Sequence, residues 1–311
     1  MLRHRRVRLI SRQEFDSDPA VPARRPVTVR LSPGNTADPN ALNDIVGQPR
    51  SNRDRLVSGR VSLQQRAQVA TNAVTIWRTP MSDPSTEAEL RELAARGAAE
   101  LDDAGATELL RWTDETFGDK YVVACNMQDA VLVDLAAKVR AGVHVLYIDT
   151  GNEFAETLGM RDAVGATYDI RLLTIHPEPS VLELGTSLCY TDPDECCRLR
   201  KVVPLSRTLR GFSAWVTGLR RVDAPTRAHA PLISFDEKFK LVKVNPLAAW
   251  SDQDMADYIT ENKVLVNPLV DEGYTSIGCA PMTAKPAEGA DKRSGRWPGF
   301  NKTECGLHIQ P

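Results

Sequence analysis

Four of the six cysteines in this chain of 311 residues stand in contexts that can do chemistry. Cys196 and Cys197 are adjacent, and Cys279 follows in Ile277-Gly278-Cys279-Ala280-Pro281-Met282. Cys305 lies near the end in Thr303-Glu304-Cys305-Gly306-Leu307-His308. With no apolar stretch of the secretory kind at the start, metal ligation or catalysis is expected rather than structural disulfides. Three thiolates in two groups suit zinc or iron–sulfur ligation but are one short of four. A terminal cysteine beside Gly306 and His308, with arginines nearby, suits a mobile thiolate nucleophile. Cys125 and Cys189 have no motif around them and read as small buried side chains or idle thiols.

The cations are grouped as well. Arg198, Arg200 and Lys201 follow the cysteine pair, Arg220, Arg221 and Arg227 form a second group, and Arg293 and Arg296 a third. The net charge of −2 hides an asymmetry: residues 1–80 hold 14 arginines, no lysine and six acidic residues, whereas residues 81–311 hold 25 basic and 35 acidic ones. A net-acidic domain that gathers cations around turns and cysteines is arranged to hold a polyanionic small molecule. Its overall acidity argues against nucleic acid as a partner. No apolar run approaches the roughly 20 residues of a membrane span, so no membrane partner is expected and the location reads as cytoplasmic. Residues 1–80 read as a disordered Arg-rich extension. Met81, opening Met-Ser-Asp-Pro-Ser-Thr-Glu, reads as an alternative start, which leaves 81–311 as one domain.

The elements that must position these groups alternate. Helical spacing of Leu90, Leu93 and Ala94 follows Ser85-Thr86-Glu87, and a second helical pattern through Leu109, Leu110 and Trp112 ends near Phe117 and Gly118. Strands are expected at Tyr121–Cys125, His144–Ile148, Tyr168–Ile175 and Phe212–Val216, with helices over Asp129–Val139 and Phe154–Val164. Strand runs too apolar to face water imply a parallel sheet covered on both faces, hence an α/β doubly wound fold. Ligands in such folds bind beyond the carboxyl ends of the strands where the strand order reverses, which points at the turns after Cys125, Ile148 and Val216. The first turn, Cys125-Asn126-Met127-Gln128-Asp129-Ala130, has no glycine and is no Gly-rich phosphate loop. The second, Asp149-Thr150-Gly151-Asn152, offers a glycine for close backbone approach and an aspartate able to bind a ribose hydroxyl.

Taken together, Glu195-Cys-Cys-Arg-Leu-Arg-Lys201, Thr217-Gly-Leu-Arg-Arg221, Arg293-Ser-Gly-Arg-Trp297 and Lys302-Thr-Glu-Cys-Gly-Leu-His308 resemble the assimilatory adenylyl-sulfate (APS) reductases and their PAPS reductase relatives, actinobacterial ones in particular. The resemblance covers roughly residues 85–308. It implies an adenine-nucleotide α-hydrolase-like fold, a mostly parallel sheet, and a mobile C-terminal catalytic tail from about 283. It further implies that Cys305 attacks the sulfur of the sulfonate anhydride and expels AMP. A dithiol reductant, thioredoxin or similar, would then release sulfite from the Cys305 S-sulfonate. Lys201, Arg227, Arg293 and Arg296 match substrate-holding cations, and Asn126 and Gln128 match the family's phosphate-binding turn. Cys196, Cys197 and Cys279 match ligands of a [4Fe–4S] cluster.

Two positions depart from the family's pattern. Where it has a fourth cysteine ligand this chain has Met282, a neutral and weaker iron donor. The expectation is therefore a cluster-type ancestry with compromised assembly. Cys125 stands where the reductases generally have serine. Retention of three ligand cysteines favours APS as substrate. The alternatives are a cluster-free PAPS reductase and a non-catalytic nucleotide-binding relative, and retention of Cys305 argues against the latter.

Overall fold

Short apolar strands with side chains alternating between two faces build the centre of the molecule. The computed structural model describes residues 86–308. The Arg-rich segment 1–80 and the start expected at Met81 lie outside the described residues. Six strands, β1 (Tyr121–Ala124), β2 (Val143–Ile148), β3 (Ile170–Ile175), β4 (Ala214–Thr217), β5 (Ile233–Asp236) and β6 (Leu241–Val244), form one sheet in the order β3-β2-β1-β4-β6-β5. All neighbouring pairs are parallel except β5 with β6. Tyr121 and Val123 of β1 face one layer and Val122 the other, and β4 repeats this with Ala214 and Val216 against Trp215. Two layers of helices are needed to cover such a sheet.

The larger layer contains α1 (Glu87–Glu100), α2 (Ala106–Phe117), α3 (Val131–Val139) and α4 (Ala155–Thr167). Leu90, Leu93 and Ala94 are buried, as their spacing predicts. The Thr86 side chain accepts a hydrogen bond from Glu89 N at 3.2 Å, and the Glu89 carboxylate accepts one from Thr86 N at 2.7 Å. This reciprocal cap satisfies two otherwise free donors. Thr86→Ala is expected to lower stability by about 1 kcal/mol, read as a shifted urea midpoint with an unchanged slope.

Helix α3 starts at Val131, two residues later than the apolar pattern suggests. Asp129 instead pairs its backbone with Val266, while its carboxylate accepts a hydrogen bond from Val131 N at 3.1 Å. The antiparallel β5–β6 pair was not evident in the sequence. Its strands are four residues each, and β6 carries Lys243 in the middle, buried at 2% exposure.

Between β3 and β4 lie α5 (Pro179–Leu182), α6 (Ser187–Thr191), α7 (Pro193–Cys197), a π-helical turn at Arg198–Val202, and α8 (Val203–Leu209). Leu205 and Leu209 of α8 cover the second face, against Val122, Leu146 and Trp215. After β6 come α9 (Asp252–Asn262) and α10 (Pro268–Asp271). From β1 the chain moves outward through β2 to β3, then returns to place β4 on the other side of β1. The order therefore reverses between β1 and β4, and the loops leaving those two strands diverge to open a crevice.

Candidate active site

A cavity of about 390 Å³ occupies that crevice. All six residues expected to hold substrate, Asn126, Gln128, Lys201, Arg227, Arg293 and Arg296, line it together with Cys305. Its size lies in the range of small-molecule sites. Asn126 folds the first turn through its side chain, which accepts a hydrogen bond from Gln128 N at 3.2 Å. The Gln128 side chain accepts one from Ile277 N at 3.0 Å, tying this turn to the segment that carries Cys279. The glycine-free turn is therefore held by side-chain ties. Cys125 lies half-buried at its start, and burial pushes its thiol up to about 12.

The other cations divide into two sets. Arg200 is buried and donates to the carbonyls of Thr150, Val181 and Gly185, Arg198 pairs with Glu195 on the surface, and Arg221 donates to Ala230 O. These three hold the fold. Arg220 lines the cavity while paired with Asp223 at 2.7 Å. Asp149, considered above for a ribose hydroxyl, instead accepts a hydrogen bond from Gly151 N at 2.9 Å and pairs with Arg161 at 3.5 Å.

Arg296 lies flat against Gly278, where a Cβ would come within 2.0 Å of its guanidinium, so only glycine permits that approach. Its Nε is buried without a hydrogen-bond partner, as is the Tyr147 hydroxyl in the same cavity wall. Unpartnered buried donors are rare and mark places where something polar is held.

The segment bearing Cys305 is docked by contacts on both sides of the thiol. Arg227 donates to both carboxylate oxygens of Glu304, each at 2.8 Å. Arg293 adds hydrogen bonds to Glu304 Oε2 at 3.2 Å and to Thr303 O at 3.0 Å. Lys238 Nζ donates to Gly306 O at 2.6 Å, and the His308 ring stacks on Trp215 at 5.7 Å with Lys243 Nζ 3.3 Å from its Nδ1. Burial, then the charges of Lys243, Arg227 and Arg293, push His308 well below the usual histidine range, so its ring is neutral. Glu304 lies within the terminal motif, but its position in the sequence alone indicates no role for it. The available signal was a carboxylate beside the thiol in a region rich in arginine.

Behind the cavity five sulfurs pack into one pocket, those of Cys189, Cys196, Cys197, Cys279 and Met282, against the buried Trp297. Cys305 packs at its edge. Burial, then the neighbouring thiols Cys189, Cys197 and Cys279, pushes Cys196 up to about 12. Lys201 lies near both this pocket and Cys305. Burial works against its ammonium, but Cys279, Cys305 and Cys197 outweigh that and hold its pKa above the usual lysine range. Cys189 is buried, as expected of a thiol outside any motif, but its Sγ lies 3.1 Å from that of Cys196, which nothing in its sequence position indicated.

Among the described residues no group of three or more His, Cys, Asp or Glu side chains is placed to hold a single metal ion. As a donor set, the four cysteines of the pocket fit the soft thiolate environment of an iron–sulfur cluster, while Met282 adds only a neutral thioether. The indole N–H of Trp297 is buried without a partner, on a side chain packed against these sulfurs.

Fold and cavity together define the class: an α/β protein with a mostly parallel sheet and a thiol among cations at its switch point. Residues 120–285 match the phosphoadenosine phosphosulfate reductase domain. The adenosine 5'-phosphosulfate reductase of Mycobacterium tuberculosis is 68% identical over 244 residues, spanning 72% of this chain and 96% of that protein. That of Mycolicibacterium smegmatis is 68% identical over 229 residues, spanning 72% of this chain and 97% of that protein. The solved phosphoadenylyl-sulfate reductase of Candida auris, a phosphate complex, superposes with a TM-score of 0.54 at 27% identity, covering 66% of this chain and 100% of that one. The chain belongs to the phosphoadenosine phosphosulfate reductase domain family, as an oxidoreductase acting on a sulfur group. Among the described residues no helix is long and apolar enough to cross a membrane.

Proposed function

We propose that this chain reduces adenosine 5'-phosphosulfate to sulfite and AMP, with Cys305 as nucleophile and a thioredoxin-like dithiol as reductant. The observation that carries this reading is the convergence of Lys201, Arg227, Arg293 and Arg296 with Cys305 on one cavity, at the switch point where a nucleotide binds in such sheets. The names of the mycobacterial relatives support APS as the substrate.

The cations hold the phosphate and sulfate oxygens and offset the charge that would repel an incoming thiolate. The Cys305 thiolate attacks the sulfate sulfur. The S–O bond to the phosphate breaks, and AMP leaves with that electron pair. The sulfur now sits on Cys305 as an S-sulfonate. One thiolate of the reductant attacks Cys305 Sγ and expels sulfite, and its second thiol resolves the mixed disulfide, returning the Cys305 thiol. Two electrons pass from dithiol to sulfur, and the reductant leaves as a disulfide.

Cys196, Cys197 and Cys279 would hold a [4Fe–4S] cluster, whose charge and sulfur ligands would adjust the electrostatics around Lys201 when bound. The test is sulfite release from APS and from PAPS with reduced thioredoxin present. Faster turnover of APS is expected, and a strong preference for PAPS, or no sulfite from either, overturns the reading.

A further inference from the structure

We propose that Cys189 is a cluster ligand in this chain, completing a four-cysteine set with Cys196, Cys197 and Cys279 in place of the thiolate that Met282 does not provide. This rests on the cluster reading above, and the experiment below separates the two.

Three observations carry it. The first is position. Helices α6 and α7 meet at Asp192, whose carboxylate caps α7 by accepting a hydrogen bond from Glu195 N at 2.9 Å. This sharp corner folds Cys189 back onto Cys196, and the 3.1 Å between their sulfurs is well beyond the roughly 2.05 Å of a disulfide. Both are free thiols, as are Cys197 and Cys279.

The second is orientation. Asn152 Nδ2 donates to Cys189 Sγ at 3.3 Å, and Asn152 O accepts from Ala280 N at 2.7 Å. One residue thus fixes the Cys189 sulfur and the loop of Cys279 together. A side-chain amide donating to a sulfur favours the thiolate, and such bonds are among the means by which proteins tune clusters. A thiol serving only as filler needs no donor aimed at it.

The third is the pocket itself. Met282 is 2% exposed and Trp297 1% exposed, and the Trp297 indole N–H has no partner although it belongs to a side chain packed against these sulfurs. An unpaired indole donor packed among five sulfurs is a cost that a sulfide or thiolate acceptor removes.

Met282 keeps the pocket filled and dry as a thioether, while Cys189 supplies the fourth negative sulfur from the opposite stretch of chain. On binding, each of the four thiols would give its proton to solvent, and the Cys189 and Cys196 sulfurs, 3.1 Å apart, would have to separate to serve as distinct ligands. No change in iron oxidation state is involved.

The experiment compares iron, acid-labile sulfide, zinc and the visible spectrum of the anaerobically purified full chain with those of Cys189→Ala, Met282→Cys and Cys189→Ala/Met282→Cys. The parent is expected to hold about four irons per chain with matching sulfide, and Cys189→Ala three or fewer with a changed spectrum. The double variant is expected to regain the parent's content, which also shows that the alanine variant folds. Unchanged iron and spectrum in Cys189→Ala overturn the proposal. An iron-free parent beside an iron-containing Met282→Cys overturns it too, because Cys189 then fails to stand in. Absence of iron from both removes the cluster reading as well, while sulfite release from APS, measured on the same preparations, still judges the proposed reaction on its own.

Discussion

Cys305→Ser is expected to release no measurable sulfite from adenosine 5'-phosphosulfate, a loss on the order of 10³-fold or more, while binding AMP within about threefold of the parent. The separation follows from the cavity. Cys305 lines it from the terminal segment, whereas the cations proposed to hold the anion lie on other elements: Lys201 in the π-helical turn, Arg227 after β4, and Arg293 and Arg296 ahead of the tail. An oxygen in place of sulfur leaves those cations untouched but is a far poorer nucleophile at neutral pH. Calorimetric titration with AMP and a sulfite assay on the same sample measure the two halves. Surviving turnover would sink the assigned role of Cys305, and joint loss of binding and turnover would make the thiol part of the nucleotide seat. Mass analysis of the parent exposed to APS without reductant should find the S-sulfonate on the peptide containing residue 305.

The second expected result has an unusual sign: Glu304→Gln should bind AMP more tightly than the parent, by roughly tenfold, yet turn over more slowly. In the docked structure Glu304 holds both Arg227 and Arg293 with charge-assisted hydrogen bonds of 2.8 to 3.2 Å. Each such bond contributes about 1.5–3 kcal/mol. A nucleotide whose anionic groups need the same guanidiniums must displace the carboxylate, so neutralising it lowers that barrier to binding. The same change loosens the tail that carries Cys305, which slows sulfur transfer. Arg227→Ala has the opposite effect on affinity and weakens AMP binding by roughly 10- to 100-fold.

The pH behaviour follows with a definite sign. Burial opposes ionisation of Glu304, but Arg227 and Arg293 outweigh it and hold its pKa below the ordinary 4.5. A depressed carboxyl stabilises docking fully above its unfolded value, and that contribution fades as pH falls through the lowered one. Protection of the tail from proteolysis should therefore be unchanged from neutrality down to about pH 5 and decline only below the usual glutamate range. Tighter binding at pH 7 in acidic-side-chain-free Glu304→Ala, but not in Glu304→Gln, would show that bulk rather than charge is what competes.

Much of the sheet was legible, and so was the meeting of Lys201, Arg227, Arg293 and Arg296 in one cavity, because these depend on local pattern and residue type. The runs at Tyr121–Cys125 and His144–Ile148 are too apolar for any but buried parallel strands, and β1 and β2 form there. The turns after them and after β4 supply the cavity because strand order reverses at β1, a consequence of topology rather than of particular residues. The β5–β6 pair was not legible, since β5 alternates apolar residues with Ser234 and Asp236 and the charged Lys243 interrupts the short run of β6. Cys189 was not legible either. Its neighbourhood is set by a corner at Asp192 and by Asn152 arriving from the far end of β2, contacts that no periodicity encodes. Arg200 shows the converse. It reads as one more cation beside a cysteine pair, yet three backbone carbonyls consume its donors.

The stacking of His308 on Trp215 makes the fluorescence of this chain a direct gauge of where its terminus is. The rings lie 5.7 Å apart with planes 16° from parallel, and Lys243 stands 5.1 Å from the same indole. The proposed reaction requires the terminus to leave for the reductant, and Trp215 would then lose the imidazole and gain wetter surroundings, changing its emission in intensity and colour. Substituting phenylalanine for the other tryptophans would leave one native reporter, able to time undocking during a single turnover without any attached dye.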